Sequence, residues 1–287
     1  MATITALTDL TAVKERLGIA ASDTDFDTIL NLIISATTER IYKYCNRNFT
    51  KQTYVYTDTG TYDDIVILRN KPINNIFFVG SGASGVIDVT YDGSAIGSME
   101  VIIDDYEQIF ELRLVESTAV TQTVDLTAVK TIADVISEVN AFANWSAVSV
   151  QSKYDSYPAR ALLPHNYSTL ESSDNTETYL YGAINPMGMT ANSVNRSAGI
   201  YKTSMVIPVG CPYVVIYDGG YATIPDDLKD AATQISANVF QMSEEDPNLS
   251  SEKIGDYSWA RAAGSFLSEI LPGWYTFLAS YKNPSIG

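Results

Sequence analysis

Residues that build metal centres and disulfide scaffolds are rare in this sequence. Its 287 residues include two cysteines, Cys45 and Cys211, and a single histidine, His165. Two cysteines exclude a disulfide framework and a zinc site built from cysteines, and one histidine excludes a histidine pair for zinc. The chain also has no glycine-flanked serine of the nucleophile-elbow type. We therefore predict no metal site, no cofactor and no catalytic residue.

Basic residues are scarce as well. Lysine and arginine number 18 against 34 aspartates and glutamates, a net charge of −16. Proteins that grip nucleic acid neutralise its phosphates with a basic face, so this balance argues against tight binding to nucleic acid or to an anionic membrane. Charged residues make up only 18% of the chain and apolar residues 46%, a composition that can bury a core. No apolar run approaches the length of a membrane span, and we expect a soluble protein.

The spacing of apolar residues predicts helices toward both ends of the chain. Thr8 is predicted to cap a short helix that ends before Gly18, and a longer helix is predicted over residues 26–44. Pro225 suits the first turn of another helix, and Ser258 is predicted to cap one more. Between these helical ends, alternating apolar and polar residues predict short strands.

The middle of the chain, residues 81–205, differs from both flanks. Alternating runs predict a small sheet, interrupted by one helix that Thr131 and Asp134 cap. Residues 151–204 are poor in charge and rich in Ser, Thr, Asn and Tyr, and we expect them to form an extended arm or an irregular loop.

The predicted fold class is α+β. A discontinuous helical core with short strands, residues 1–80 and 206–287, carries an inserted small α+β domain with a long irregular arm, residues 81–205. The insert holds 6 basic and 15 acidic residues, a net charge of −9, so more than half of the acidity lies in it.

Two motifs resemble ligand sites but lack the required context. Gly80–Gly85 has the form Gly-x-Gly-x-x-Gly, yet it opens a strand pattern and not the helix whose N-terminus would hold a pyrophosphate. We interpret it as a flexible linker. Asp23, Asp25 and Asp27 resemble the first half of a calcium loop, but the glycine and glutamate that an EF-hand needs further on are missing. We interpret these acids as capping and dipole partners of the second helix.

Three cations, Arg40, Lys43 and Arg47, share one side of the second helix near its end. Cations at this position complement the helix dipole. Contact with phosphate or with an acidic partner is the alternative.

Three stretches, taken in order, resemble one protein family. Residues 41–49, Ile-Tyr-Lys-Tyr-Cys-Asn-Arg-Asn-Phe, close the second helix. Residues 219–231, Gly-Gly-Tyr-Ala-Thr-Ile-Pro-Asp-Asp-Leu-Lys-Asp-Ala, open the later one, and residues 251–258, Ser-Glu-Lys-Ile-Gly-Asp-Tyr-Ser, follow. With Asn-Lys-Pro-Ile at 70–73 between them, these stretches resemble the head-tail connector, or adaptor, proteins of tailed bacteriophages.

The resemblance implies a structural virion protein at the head-tail junction, made in the cytoplasm of the bacterial host. Such proteins form a ring, typically of twelve copies, whose body is helical. The ring sits under the portal protein, joins it to a downstream neck or tail protein, and continues the DNA channel without binding DNA tightly; no membrane is involved. The C-terminal segment reaches into the portal, which here assigns portal binding to Trp274, Tyr275, Phe277, Leu278, Tyr281 and Lys282.

Two other functions remain open on the sequence alone. The insert is an alternative binding module for a glycan or another surface ligand, through Trp145, Tyr154 and Tyr157. A hydrolase that uses paired carboxylates within the insert is a further alternative.

Overall fold

A computed structural model describes the chain at residues 5–104, 108–116, 120–170, 178–183, 185–186, 194–244, 251–254, 257–260 and 277–283. The helices in chain order are α1 (Leu10–Leu17), α2 (Asp27–Cys45), α3 (Ile132–Val139) and α4 (Asp226–Glu244). The strands are β1 (Gln52–Thr59), β2 (Asp63–Ile67), β3 (Ile73–Ser81), β4 (Ser84–Tyr91), β5 (Gly97–Asp104), β6 (Ile109–Glu116), β7 (Val120–Asp125), β8 (Trp145–Ser149), β9 (His165–Leu170), β10 (Thr178–Gly182), β11 (Asn185–Pro186), β12 (Val194–Asn195), β13 (Ile200–Ile207), β14 (Pro212–Gly219), β15 (Ser251–Ile254) and β16 (Tyr257–Ala260).

The described chain is mostly β, so the predicted fold class, α+β with a helical ring-forming core, is wrong. The predicted helices α1, α2 and α4 are present, but antiparallel strands supply most of the regular structure. The irregular arm predicted at residues 151–204 is also wrong, because β9, β10 and β13 lie there and pair with β5, β4 and β2. Distant partners stabilise these strands, and their own polar sequences carry little alternation.

The chain divides into two compact units. Apart from the first two residues, one unit is Lys51–Gly220, and the other joins Thr3–Thr50 to Tyr221–Gly287. The sequence predicts a different division, between a core and an insert at residues 81–205, and that functional division stays a prediction.

Strand β14 lies inside the first unit's sheet of order β1-β14-β3-β11. Its apolar run is continuous because both of its faces are covered. Tyr213, Val215 and Tyr217 pack into one buried cluster, and Val214 and Ile216 pack into another. β14 therefore links the two apolar cores of this unit.

Three further sheets complete the first unit, with orders β7-β6-β5-β9, β10-β4-β8 and β12-β13-β2. The predicted helix between β7 and β8 is present as α3, and its predicted cap is confirmed. The Thr131 side chain accepts from the Asp134 amide at 3.3 Å, and the Asp134 carboxylate accepts from the Thr131 amide at 2.9 Å. Val135 and Val139 of α3 are fully buried in the larger apolar cluster. The glycine-rich Gly80–Gly85 leads into strand β4 and not into a helix, as predicted, but its interpretation as a flexible linker is wrong, because Gly80 and Ser81 end β3 and Ser84 and Gly85 begin β4.

The second unit is built from α1, α2 and α4. Asp9, and not the predicted Thr8, caps α1: its carboxylate accepts from the Ala12 amide at 2.9 Å. The Thr8 hydroxyl instead lies 2.6 Å from that of Thr233 on α4. Gly18 ends the helix in the left-handed conformation, as its position predicts.

A buried lysine organises the loop between α1 and α2. Lys14 is 4% exposed, its ammonium donates to the Asp23 carbonyl at 2.6 Å, and it forms an ion pair with Asp27. Capping of α2 by the three acids is wrong, since its N-cap is Phe26 and makes no side-chain hydrogen bond. Asp27 does lie in the first turn, where its charge favours the helix dipole.

The helix predicted from Ser258 is wrong where the structure describes it. Ser258 lies in β16, which pairs with β15 as an antiparallel hairpin, and the rest of that predicted helix, residues 261–270, lies outside the described residues. Within the part of the chain that is described, no helix combines the length and the apolar character of a bilayer span.

Replacing Lys14 by Met should lower the free energy of unfolding of the second unit by about 2 kcal/mol, because Asp27 loses its cation while only 30% of its side chain is exposed. Urea denaturation followed by circular dichroism measures the change. The double variant Lys14→Met, Asp27→Asn should recover part of the loss. Lys229→Ala, which breaks an exposed pair with Asp9, should cost less than about 1 kcal/mol. Equal losses for Lys14→Met and Lys229→Ala would contradict the burial argument.

Candidate functional site

Four of the predicted portal-binding residues, Phe277, Leu278, Tyr281 and Lys282, are described, and they lie near the C-terminal end of α2 in the second unit. Trp274 and Tyr275 fall outside the described residues. Leu278 is 4% exposed and packs into the apolar cluster at this end of α2, and Phe277 and Tyr281 pack against the same cluster. Lys282 is exposed, with its ammonium 5.3 Å from the centroid of the Tyr44 ring. Nothing in this placement tests portal binding, which stays a prediction.

Hydrogen bonds attach the segment 277–283 to the end of α2. Asn46 ends the helix in the left-handed conformation, with φ at 50°, and the last carbonyls of a helix need donors. Asn283 supplies two, from its amide to the Cys45 carbonyl at 3.0 Å and from its side chain to the Asn46 carbonyl at 2.9 Å. The Tyr281 hydroxyl also donates to the Asp227 carboxylate at 2.7 Å. The segment is therefore docked through both polar and apolar contacts.

Arg47 lies at the centre of this arrangement. It is 2% exposed, and its guanidinium carbon lies 4.8 Å from the centroid of the Phe49 ring and 5.7 Å from that of Tyr221. Edge contacts at 5.2 and 5.9 Å join the Phe49 ring to Tyr42 and Tyr281. A buried cation over aromatic faces is strongly favoured, since little water competes for it. Arg47 therefore does not contact phosphate or an outside partner from this position.

Residues that carry the resemblance to connector proteins meet at Arg47, although they are far apart in the sequence. Phe49 belongs to the stretch 41–49 and Tyr221 to the stretch 219–231, and the Tyr221 amide donates to the Phe49 carbonyl at 2.7 Å. Asp227, from the second stretch, accepts from Tyr281. In the third stretch, residues 251–254 form β15, and residues 257 and 258 lie in its partner strand β16. The motif around Asn46 and Arg47 is visible in the sequence, but its burial is not.

Three groups of this cluster, the Cys45 thiol and the Tyr42 and Tyr281 hydroxyls, have raised pKa values that favour their protonated forms. Burial raises the pKa of the Cys45 thiol to about 11, against the opposing positive charges of Arg47 and Lys282. Burial also raises the pKa of Tyr42. Burial and the hydrogen bond to Asp227 raise the pKa of Tyr281. Neutral hydroxyl and thiol groups of this kind serve packing and hydrogen bonding.

No family model and no curated protein matches the chain. Among solved structures, it is similar to a chain described as the neck of an empty GTA particle computed with C6 symmetry. The two share 12% identity with a TM-score of 0.36, and the alignment covers 99% of this chain and 93% of that chain. A TM-score at this level does not establish a shared fold.

The residues predicted for glycan binding do not form an exposed platform. Trp145 and Tyr154 are buried in the larger core of the first unit, where the Trp145 ring lies 4.7 Å from that of Tyr91. Tyr157 packs against the same core. Sugar rings stack on accessible aromatic faces, so this set of residues is wrong for that purpose. Within the described ranges, no cluster of three or more His, Cys, Asp or Glu residues is arranged to hold a metal ion.

Replacing Arg47 by Met should lower the free energy of unfolding of the second unit by about 2 kcal/mol, because the contacts of the cation with the Phe49 and Tyr221 rings are lost. Hydrogen exchange at the amides of Ser280, Tyr281 and Lys282 should accelerate in the same variant. Arg40→Met removes an exposed cation from the same helix and should stay within about 0.5 kcal/mol. Unchanged exchange at residues 280–282 would contradict the central position of Arg47.

Cys45 should react far more slowly than Cys211 with a thiol reagent. At pH 8, a shift of the Cys45 pKa from 9 to about 11 lowers its thiolate fraction about a hundredfold, and burial slows access further. Labelling with a chromogenic disulfide should show one fast and one slow thiol. The variant Cys211→Ser should keep only the slow phase, and a fast phase in that variant would contradict the docking of residues 277–283 over Cys45.

Proposed function

We propose that this chain is a structural virion protein, a ring-forming head-tail adaptor that joins the portal to downstream neck or tail components and lines the DNA channel. The observation that carries the proposal is the convergence on Arg47. Stretches 41–49 and 219–231, which carry the resemblance to connector proteins, form one buried cluster with the segment 277–283. Contact between the similar stretches in the folded chain supports the resemblance more strongly than sequence similarity alone.

An exposed apolar stripe on α2 supports self-assembly. Leu32 is 69% exposed, and the side chains of Ile29, three residues before it, and of Phe26, six residues before it at the N-cap, are also exposed. Residues at this spacing share one side of a helix. Contiguous apolar surface of this kind is typical of protein interfaces. In the proposed ring, typically of twelve copies, this stripe is covered by the neighbouring copy.

The net charge of −16 suits a conduit for DNA. Each phosphate that a protein neutralises releases counterions and adds affinity, which would retard passage. An acidic protein contacts DNA only weakly. We propose a role in assembly and passage, without a catalytic step.

The proposed portal contact uses Trp274, Tyr275, Phe277, Leu278, Tyr281 and Lys282. Because Leu278 packs over Cys45, insertion of this residue into the portal requires it to leave the end of α2. Reactivity of Cys45 then reports on that exchange. The proposal does not depend on the distant likeness to the GTA neck chain.

Mass photometry and negative-stain images of the protein, alone and with the portal protein of the same virion, test the proposal. We expect rings alone or on the portal, and faster labelling of Cys45 in the complex. Leu32→Glu should abolish rings, because it places a charge in the apolar interface. Val148→Glu, at a similarly exposed position on β8, should leave them intact. The absence of rings in both conditions, together with no portal binding, would sink the proposal.

A further inference from the structure

A groove of about 490 Å³ opens in the first unit, beside the start of β9. Its lining is largely apolar, from Ala83, Leu163, Pro164 and Pro212. His165 and Tyr181 also line it, with their ring centroids 5.5 Å apart. Apolar walls with a few fixed polar groups are typical of binding sites.

One carboxylate, that of Asp58, borders this groove. Its two oxygens accept from the Tyr56 hydroxyl at 2.7 Å and from the Thr59 amide at 2.8 Å, so its orientation is fixed. Among the residues that the structure describes, no ion pair includes Asp58. The pKa of nearby Tyr213 rises to about 12 through burial and through the negative charge of Asp58. The groove therefore presents a preorganised negative charge next to aromatic and aliphatic surface.

Two loops beside the groove, residues 60–62 and 208–211, form an apolar tip. Backbone hydrogen bonds join them, from the Gly60 amide to the Cys211 carbonyl at 2.8 Å and from the Gly210 amide to the Gly60 carbonyl at 3.0 Å. Tyr62 and Val209, on these loops, are each 75% exposed. Tyr62 also has φ at 67°, a conformation that costs energy in a non-glycine residue. Exposed apolar side chains beside a charged groove are features of a protein-binding surface.

We propose that this groove binds an arginine side chain presented by a protein partner. Arginine matches each wall: its guanidinium pairs with a fixed carboxylate and stacks on an aromatic ring, while its aliphatic stem lies on apolar surface. In this proposal Asp58 pairs with the guanidinium, the Tyr181 ring stacks on it, and Leu163 and Pro164 contact the aliphatic stem. Phosphate-bearing partners, nucleic acid or anionic lipid, are disfavoured because Asp58 repels them. The tip at Tyr62 and Val209 contacts apolar residues that flank the arginine.

The single histidine of the chain gives this groove a reporter of its own. In protein labelled with ¹³C at the histidine Cε1, the one signal belongs to His165. Titration at constant pH with N-acetyl-arginine-N-methylamide should shift this signal saturably. The citrulline analogue has the same shape without the charge, and it should bind at least about tenfold more weakly. No saturable shift, or equal shifts with the two probes, would overturn the proposal.

Variants then locate the charge that matters. Asp58→Asn should weaken binding of the arginine probe about tenfold, while Asn still offers Tyr56 an acceptor. Asp63→Asn removes an equal charge from a neighbouring exposed position outside the groove, and it should leave binding unchanged. Equal losses in both variants would mean unspecific attraction and would count against the groove. The titration uses the single chain without portal or ring, so its failure leaves the adaptor role untouched.

Discussion

Burial of the Arg47 guanidinium between Phe49 and Tyr221 is the interaction on which the second unit depends. The residues after α2 must turn back so that the cation reaches the two rings, and the left-handed Asn46 makes that turn possible. The turn brings the Phe49 carbonyl to the Tyr221 amide, and so sets the chain that enters α4 beside the chain that leaves α2. Residues 277–283 then pack on the C-terminal end of α2 and donate hydrogen bonds to its last carbonyls. One stacked charge thereby fixes the positions of three separate parts of the sequence.

The first unit depends on a different constraint, the two-sided burial of β14. A strand covered on both faces must be apolar at successive positions, and Tyr213 to Tyr217 satisfy this requirement. Its neighbours β1 and β3 are also covered on both faces. Adjacent residues of β1 therefore belong to different cores, Tyr54 to one and Val55 to the other.

The spacing of apolar residues predicted the helices and strands that bury one face, and also the strand that buries both faces. Helices α1 to α4 and strands β1 to β8 follow from it, as does β14. It could not predict β10 and β13. Their sequences, Thr178–Gly182 and Ile200–Ile207, do not alternate between apolar and polar residues, and their partner strands lie far away in the sequence. At the site, the stretch around Arg47 was visible, but helical spacing placed Arg47 on an exposed side of α2. The helix ends at Cys45, and the turn beyond it reverses that direction. The resemblance to connector proteins assigned Tyr281 to portal binding, but its hydrogen bond to Asp227 has no sequence signal.

The buried ammonium of Lys14 occupies a position beside aspartates where other proteins bind a divalent cation. Loops that gather several aspartates often depend on a bound divalent cation, and such loops loosen when a chelator removes the ion. In this loop the positive charge is covalently attached to α1, so it cannot diffuse away or be exchanged. The positive charge beside Asp27 at the start of α2 is therefore supplied by the chain itself. A lysine performs here what a dissociable ion performs elsewhere, and it ties that function to the presence of α1.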